Sequence, residues 1–229
     1  MNGLDTSGTG AMPPFRFRDC ALIPIASGRR ASTLKELRDH LVQSGRETLY
    51  YHFWGALLQP RFEEREYHND FAAWVHHGLR DAVLAEQLAM VDPDEYDDVE
   101  DLRLVILEYI DQRLEDSPFL EWIPAGQIFE FIHAQIVVFD AGIEAAGYRD
   151  LVEYIPNMPL SSVFYHFVDA RRRTPERTDD FSAWLGTFDR GHQALLADLA
   201  DIDPYFNTLS ELRDQLGVLF RRHFGEGMA

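Results

Sequence analysis

The sequence predicts a mainly α fold in which two tandem helical repeats pack about a pseudo-two-fold axis, each repeat starting with a short extended segment. Two echoes in the chain indicate the duplication. The stretch Leu49–Trp54 (LYYHFW) returns as Val163–Val168 (VFYHFV), and the Phe-x-Phe at 15–17 returns at 129–131 with the same offset. The third observation is a series of helix start signals, each followed by apolar residues at helical spacing.

The first repeat opens with an extended segment. Residues Phe15–Ser27 mostly alternate between apolar and polar, and Pro24 excludes an uninterrupted helix there. Gly28 is expected to end the segment. In the first helix, Thr33 begins a capping box (TLKE), and the leucines at 34, 37 and 41 form one apolar face. Further helices are predicted at about 48–58, 71–79, 82–91 and 99–115.

The second half follows the same plan. Residues 179–185 (DDFSAWL) match 69–75 (NDFAAWV), and Thr208 opens the last helix with another capping box. We expect the two extended segments, one at the start of each repeat, to pair with each other through backbone hydrogen bonds. The predicted organisation is a disordered tail at 1–14, helical repeats at 15–118 and 119–224, and a frayed tail at 225–229.

The composition excludes several classes of partner. The 229 residues include 21 Lys and Arg against 39 Asp and Glu, for a formal net charge of −18. Nucleic acids and anionic membranes bind basic surfaces, so neither is expected as a partner. No run approaches the roughly 20 apolar residues of a membrane span, and residues 1–14 lack the apolar core of a signal peptide. The single cysteine, Cys20, allows no intrachain disulfide, which fits a cytoplasmic location.

These motifs resemble those of a known family. The F-x-F start, the Leu-x-x-Leu helix, the pair Tyr51-His52 and the block at 69–74 (NDFAAW) are similar to the bacterial family of unknown function DUF5752, over most of the chain. The resemblance implies no established activity. The family pattern has a second histidine two residues after the first, where this chain has Trp54 and Val168. A metal site built on a His-x-His pair is therefore not expected.

Two histidines and two aspartates are the leading candidate site residues. His52 and His166 each lie in an aromatic, apolar helix. There, an imidazole is either a core group bonded to a carboxylate or carbonyl, or a pocket group that offers a nitrogen to a ligand. Asp70 and Asp180 are either helix N-caps, worth about 1 kcal/mol, or partners that orient the imidazoles in matched dyads. The sequence leaves both alternatives open.

Aromatic residues near these positions complete the candidate ligand-binding set. Trp74 and Trp184 follow the aspartates at helical spacing, which favours core packing over a site wall. Trp54 has no counterpart in the second half, so it either lines a site special to the first half or covers a gap. The full set of candidate ligand-binding residues is Tyr51, His52, Trp54, Asn69, Asp70, Trp74, Tyr165, His166, Asp180 and Trp184.

Two further groups carry metal-ligating atoms or charge. His68, His76 and His77 occur only in the first half, but spacings such as His-Glu-x-x-His are absent, and adjacent histidines on an α-helix point about 100° apart. No catalytic residue, metal or cofactor is therefore predicted. The basic cluster Arg171–Arg173 with Arg177 is either a site for a phosphate or an acidic partner, or a solvated helix end.

The predicted function is that of a non-catalytic cytoplasmic binding or regulatory module for a small molecule or a protein. Catalytic motifs are missing, and the duplication gives two equivalent faces. The alternative is a metal-dependent hydrolase with its site near His52 and Asp70, because the neighbouring His68 and Trp54 enrich the first half alone. The sequence predicts neither the ligand nor the oligomeric state.

Overall fold

A computed structural model describes residues 13–58, 66–188, 191–205 and 207–225. The predicted tails at 1–14 and 225–229 lie outside these residues, apart from 13, 14 and 225. Within the described residues the chain forms two long strands and a set of helices, some of which continue into short 3-10 or π turns. In that part of the chain, no helix is both long enough and apolar enough to span a bilayer.

The two strands form one antiparallel sheet. Strand β1 spans Phe15–Ala31 and strand β2 spans Phe129–Ala145. They pair from end to end: the first residue of each strand lies opposite the last residue of the other. The predicted pairing of the two extended segments is confirmed.

The sheet makes the architecture α/β, with helices lying against a two-stranded antiparallel sheet. The prediction of a mainly α fold, made of two tandem helical repeats about a pseudo-two-fold axis, is therefore wrong. The prediction treated the extended segments as short stretches at the start of each helical repeat. At 17 residues each, the strands are long enough to reach helices of both halves.

Gly28 does not end the extended segment as predicted, and Pro24 also lies within β1. Each strand of a two-stranded sheet has one edge without a partner strand, where a proline costs no ladder hydrogen bond. Gly28 and Gly142 have φ of 76° and 69°, which is left-handed, and each lies at a shift in the strand register. They form β-bulges, so the strands continue beyond them.

The helices follow the two strands in two groups. After β1 come α1 (Leu34–Val42), α2 (Arg46–Trp54), α3 (Asp70–Trp74), α4 (Ala82–Ala89) and α5 (Val99–Asp116). After β2 come α6 (Tyr148–Tyr154), α7 (Leu160–Val163), α8 (Ala170–Arg173), α9 (Asp180–Leu185), α10 (Gln193–Ala200) and α11 (Leu209–Phe224). A π-helical turn, Val75–Leu79, continues α3, and another, Phe164–Asp169, joins α7 to α8.

Each strand begins against helices of the opposite half. The Phe15 ring of β1 stacks on Phe181 of α9, with centroids 4.9 Å apart, and Phe129 of β2 stacks on Phe71 of α3 at 5.4 Å. All four rings are buried and belong to one continuous core. The two halves are therefore interdependent, because the strand of each half packs against helices of the other half.

Candidate functional site

His52 and Asp70 meet, as the dyad hypothesis requires. The Nδ1 atom of His52 on α2 lies 3.0 Å from Oδ2 of Asp70 at the start of α3. On the other side of the ring, Nε2 accepts the backbone N–H of Ile132 in β2 at 3.2 Å. The imidazole is buried among aromatic rings, including that of Phe129 at 4.7 Å between centroids. It therefore connects two helices of the first half to the strand that comes from the second.

His166 and Asp180 form the matching arrangement in the second half. The Nδ1 atom of His166 lies 2.8 Å from Oδ2 of Asp180, and Nε2 accepts the backbone N–H of Arg18 in β1 at 2.8 Å. This imidazole is also buried, and the Phe15 ring lies 5.1 Å from it. Both dyads thus hold the strand of the opposite half.

The backbone contact fixes the tautomer of each imidazole. Because a backbone N–H always donates, the Nε2 atom that faces it must offer a lone pair. The proton of the neutral ring is then on Nδ1, from which it is donated to the aspartate. Arg18 and Ile132 both lie beside the register shifts of the sheet, so the imidazoles bind amides next to the bulges. Both ring nitrogens of each histidine are therefore occupied, one by the aspartate and the other by the backbone of a strand.

Helix capping falls to the residues just before the dyad aspartates. Asn69 accepts the N–H of Ala72, and Asp179 accepts that of Ser182, so these two side chains are the N-caps of α3 and α9. Burial raises the pKa of the Asp179 carboxyl. Asp70 and Asp180 occupy the first helical position, where they face the imidazoles, so the N-cap alternative for these two residues is wrong.

Both tryptophans after the aspartates reach backbone just ahead of a strand. Trp74 Nε1 donates to the carbonyl of Gln127 at 2.7 Å, and Trp184 Nε1 donates to that of Pro13 at 2.8 Å. Gln127 lies two residues before β2, and Pro13 lies two residues before β1. In each case the tryptophan belongs to the half whose helices pack against that strand. The two indoles therefore also hold the start of the strand that comes from the opposite half, besides packing in the core.

The two tyrosines before the histidines stay beside them. Tyr51 meets His52 edge-on at 5.2 Å between ring centroids, and Tyr165 meets His166 at 5.0 Å. The Arg173 guanidinium lies 3.9 Å from the centroid of the Tyr165 ring. Both tyrosine rings are buried, so they support the imidazoles within the core.

Trp54 belongs to a different cluster. Its Nε1 donates to the Tyr205 hydroxyl at 3.0 Å, which in turn donates to Asp94 at 2.7 Å. Tyr50 stacks on the indole with centroids 5.4 Å apart. The set of candidate residues is thus divided between two dyads and a separate polar junction beside Trp54.

Sequence reasoning missed the centre of this junction, Asp169. The buried carboxylate accepts the Tyr50 hydroxyl at 3.0 Å, Arg172 at 2.7 Å and Arg173 at 2.8 Å. Burial, followed by the Asp169 charge, raises the pKa of the Tyr50 hydroxyl, which remains a donor. The sequence did carry one signal, because Asp169 interrupts a long apolar run (VFYHFVDA), where a charged residue needs a partner.

A cavity of about 420 Å³ lies at the same junction. Trp54 and Tyr96 contribute its aromatic lining. Its charged lining residues are Arg46, Arg171, Arg172, Arg177, Asp97 and Asp98. Each of the four arginines is paired with an aspartate: Arg46 with Asp98, Arg171 with Asp94, Arg172 with Asp169 and Arg177 with Asp97. The cavity therefore gathers four guanidinium groups in a chain of net charge −18 without a local excess of positive charge. Three residues of the basic cluster noted in the sequence, Arg171, Arg172 and Arg177, line this cavity, and Arg171–Arg173 also form the last turn of α8.

A second cavity, of about 690 Å³, shares Arg171 and Arg177 with the first. Glu176 and Asp179 also line it, beside small apolar residues of α9 and α10. It has two arginines in its lining, against four in the smaller cavity. The smaller cavity is the better candidate for a charged ligand.

The sequence model described as a family of unknown function, DUF5752, matches residues 12–221. The chain belongs to the DUF5752 family. A solved structure similar to it is that of OrfY from Thermoproteus tenax, which is 26% identical, with a TM-score of 0.78 over 94% of this chain and 97% of that one. No curated protein matches the sequence.

Metal-ligating atoms of this DUF5752 protein converge away from its dyads. Within the described part of the chain, the group of His, Cys, Asp and Glu side chains whose ligand atoms lie within 4.8 Å of one another is Glu66, His76 and His77. His52 is not in that group, and both of its ring nitrogens are engaged in the hydrogen bonds given above.

Cys20, on the inner face of β1, is unlike a reactive thiol. It is buried, and its Sγ lies 3.3 Å from the carbonyl of Ser161. Burial, followed by the nearby Asp19 charge, raises the pKa of the Cys20 thiol to about 12. The thiolate that would react or bind a metal is therefore suppressed.

This shift predicts a loss of stability as the pH rises from about 9 towards 12. In that window folded Cys20 keeps its proton, whereas the unfolded chain releases it near the ordinary pKa of 9.0. The favourable contribution is fully present below pH 9 and is lost above it. Urea unfolding should show a decrease of about 1–2 kcal/mol between about pH 8.5 and 10.5. The Cys20→Ala variant should decline less steeply, and an equal slope would contradict this assignment.

Proposed function

We propose that this DUF5752 protein is a non-catalytic binding module of the cytoplasm, and that it binds a small polyanion in the cavity beside Trp54. The observation that carries the proposal is the convergence of four arginines on that cavity in a strongly acidic chain. Arginine is the side chain best suited to bind phosphate and carboxylate groups, through paired N–H donors. The volume of about 420 Å³ lies within the usual range for small-molecule sites.

The arginines at the mouth have partners that a ligand can replace. Arg46 pairs with Asp98 at 2.8 Å, and Arg177 pairs with Asp97 at 2.7 Å. Both pairs are at the surface, and the Asp97 side chain is 89% exposed. Exposed ion pairs contribute only about 0–1 kcal/mol, so a polyanion can replace the two aspartates at little cost. The Arg177 guanidinium also donates to the backbone carbonyls of Asp94 and Tyr96, which hold it at the cavity.

Two of the lining arginines, Arg172 and Arg177, are also held in place by their surroundings. The Arg172 guanidinium lies 4.2 Å from the Tyr50 ring centroid and 4.8 Å from that of Trp54, and its charge is held by buried Asp169. Arg177 has φ of 54°, a left-handed conformation that costs a non-glycine residue about 1–2 kcal/mol. Strained residues of this kind concentrate at binding sites, where the surrounding contacts hold them.

The dyads support a non-catalytic role. A general base or a metal ligand at His52 needs a nitrogen lone pair directed at a substrate or ion, whereas Nε2 is used by the Ile132 amide. The alternative function, a metal-dependent hydrolase beside His52 and Asp70, would require the strand to leave that nitrogen. No contact of the described residues favours such a rearrangement.

The test is calorimetric titration of the full chain with inorganic pyrophosphate and, separately, with a dicarboxylate such as malonate. We expect binding of at least one of them, and a Kd about tenfold weaker in Arg46→Gln, because loss of one charged hydrogen bond costs about 1.5–3 kcal/mol. Arg149→Gln is the matched control: Arg149 forms a comparable exposed ion pair, with Glu153, outside the cavity lining. Absence of binding to both probes at millimolar concentration would contradict the proposal, as would an equal loss in the two variants.

A further inference from the structure

We propose that Glu66, His76 and His77 form a binding site for a divalent transition-metal ion such as Zn²⁺. The site is separate from the dyads and from the anion cavity, and it does not depend on the function proposed above. Two imidazoles and one carboxylate are a common ligand set for zinc, with a fourth position left to water. Imidazole donors also favour transition metals over Ca²⁺ and Mg²⁺, which take oxygen ligands.

The ligand atoms already lie close to the required spacing. Glu66 Oε2 lies 3.3 Å from His77 Nε2, and Glu66 Oε1 lies 3.9 Å from His76 Nε2. All three ligand atoms are within 4.8 Å of one another. Metal–ligand bonds of about 2.0–2.2 Å in a tetrahedral site place ligand atoms about 3.3–3.6 Å apart. Rotation of the exposed Glu66 and His77 side chains is enough to close the remaining gap.

A local irregularity brings the two adjacent histidines together. On a regular α-helix, neighbouring side chains diverge by about 100°. Here His76 and His77 lie on the π-helical turn Val75–Leu79, and their ring centroids are only 4.9 Å apart. The turn ends at Arg80, which has a left-handed φ of 59°. Single π turns of this kind are frequent at functional sites.

The hydrogen bonds of His76 also favour a ligand at its Nε2 atom. The Tyr67 hydroxyl lies 2.8 Å from His76 Nδ1 and donates to Glu86 at 3.3 Å. A hydroxyl that donates to Glu86 accepts the Nδ1 proton of His76, so Nε2 carries the lone pair, on the side of Glu66. Metal-bound histidines commonly donate their second ring N–H to a hydrogen-bond acceptor, which orients the ring and raises its basicity. The Tyr67 hydroxyl, which is bonded to Glu86, is such an acceptor for His76.

Access and charge favour loading from solvent. The Glu66 and His77 side chains are 58% and 52% exposed, whereas the His76 side chain is held at 34% by its contact with Tyr67. The net charge of −18 raises the local concentration of cations around the chain. The site thus has one positioned ligand, two adjustable ligands and an open approach.

The test is titration of tag-free, chelator-treated full-length protein with Zn²⁺ by calorimetry, with the visible spectrum of Co²⁺ as a second readout. We expect one ion per chain and a tetrahedral Co²⁺ spectrum. His77→Gln and Glu66→Gln should each weaken binding at least tenfold; both side chains are exposed, so folding is expected to be unaffected. His133→Gln serves as the control, because His133 lies on the sheet, outside this group.

Three outcomes would overturn the inference. The first is no binding of Zn²⁺ at 100-fold excess over a protein concentration of about 10 μM. The second is binding of unchanged affinity in both His77→Gln and Glu66→Gln. The third is an equal loss in His133→Gln, which would indicate general binding to imidazoles rather than a built site.

Discussion

Replacing Asp169 by Asn is expected to lower the free energy of unfolding by about 2–4 kcal/mol. The carboxylate is buried and receives Tyr50, Arg172 and Arg173. Asn keeps the shape of the side chain but removes the charge, and the two guanidinium groups lose their shared counterion. Because both arginines are partly exposed, the effect falls below that of a fully buried pair.

The consequence reaches one dyad, because Arg173 also pairs with Asp180 at 3.0 Å. Thermal unfolding should show a Tm that is lower by about 5–12 °C. Asp198→Asn is the matched control: that carboxylate also has two basic partners, Arg222 and His223, but it lies at the surface. We expect little change in the control. A Tm for Asp169→Asn within the range of the control would show that the junction does not hold the halves together.

The second large effect is expected for His52→Gln and His166→Gln. Either change removes at least one of two buried hydrogen bonds and the ring contacts with Phe129 or Phe15. A buried donor left without an acceptor costs about 1–3 kcal/mol, so each variant should lose about 2–4 kcal/mol in urea unfolding.

The physical reason is strand attachment, which gives the effect a local signature. The amide of Ile132 in the His52 variant, or of Arg18 in the His166 variant, should exchange with solvent faster than in the parent. His133→Gln should leave stability within about 0.5 kcal/mol of the parent value. Unchanged stability in both dyad variants would mean that the imidazoles are not structural, and the hydrolase alternative would regain support.

Much of the dyad geometry could be predicted from the repeated Tyr-His and Asp-Phe-x-x-Trp patterns. They placed His52, Asp70, His166 and Asp180 in matched positions, and the structure brings each pair together. What the patterns did not contain is the acceptor role of Nε2. That role depends on the backbone of a strand about 80 residues away from His52, and only the register of the assembled sheet determines which amide reaches the ring.

The prediction of the fold class was wrong for a different reason. Gly28 was expected to end the extended segment, but in the structure it forms a bulge, and Pro24 stands on an open edge, so each strand runs for 17 residues. Local propensity could not distinguish these cases, because they depend on the partner strand. The sequence likewise left open whether Asp70 and Asp180 are helix caps or dyad partners, and the structure places the caps one residue earlier, at Asn69 and Asp179.

The junction was the least predictable part. Trp54 lacked a counterpart in the second half, but nothing near it in sequence indicated that it contacts Tyr205, about 150 residues away. Contacts between distant segments follow from packing of the halves, which sequence periodicity does not encode. The isolated Asp169 in an apolar run was the single local sign of a buried charge network.

The most direct test of the account is the tautomer of the two dyad imidazoles, read from two-bond ¹H–¹⁵N correlation spectra at about pH 8. Spectra of His52→Gln and His166→Gln assign the signals. Both rings are expected to carry their proton on Nδ1 and to accept a strand amide at Nε2. A proton on Nε2 in either ring would contradict the strand-anchoring role, because a protonated nitrogen donates and cannot accept the backbone N–H of the sheet.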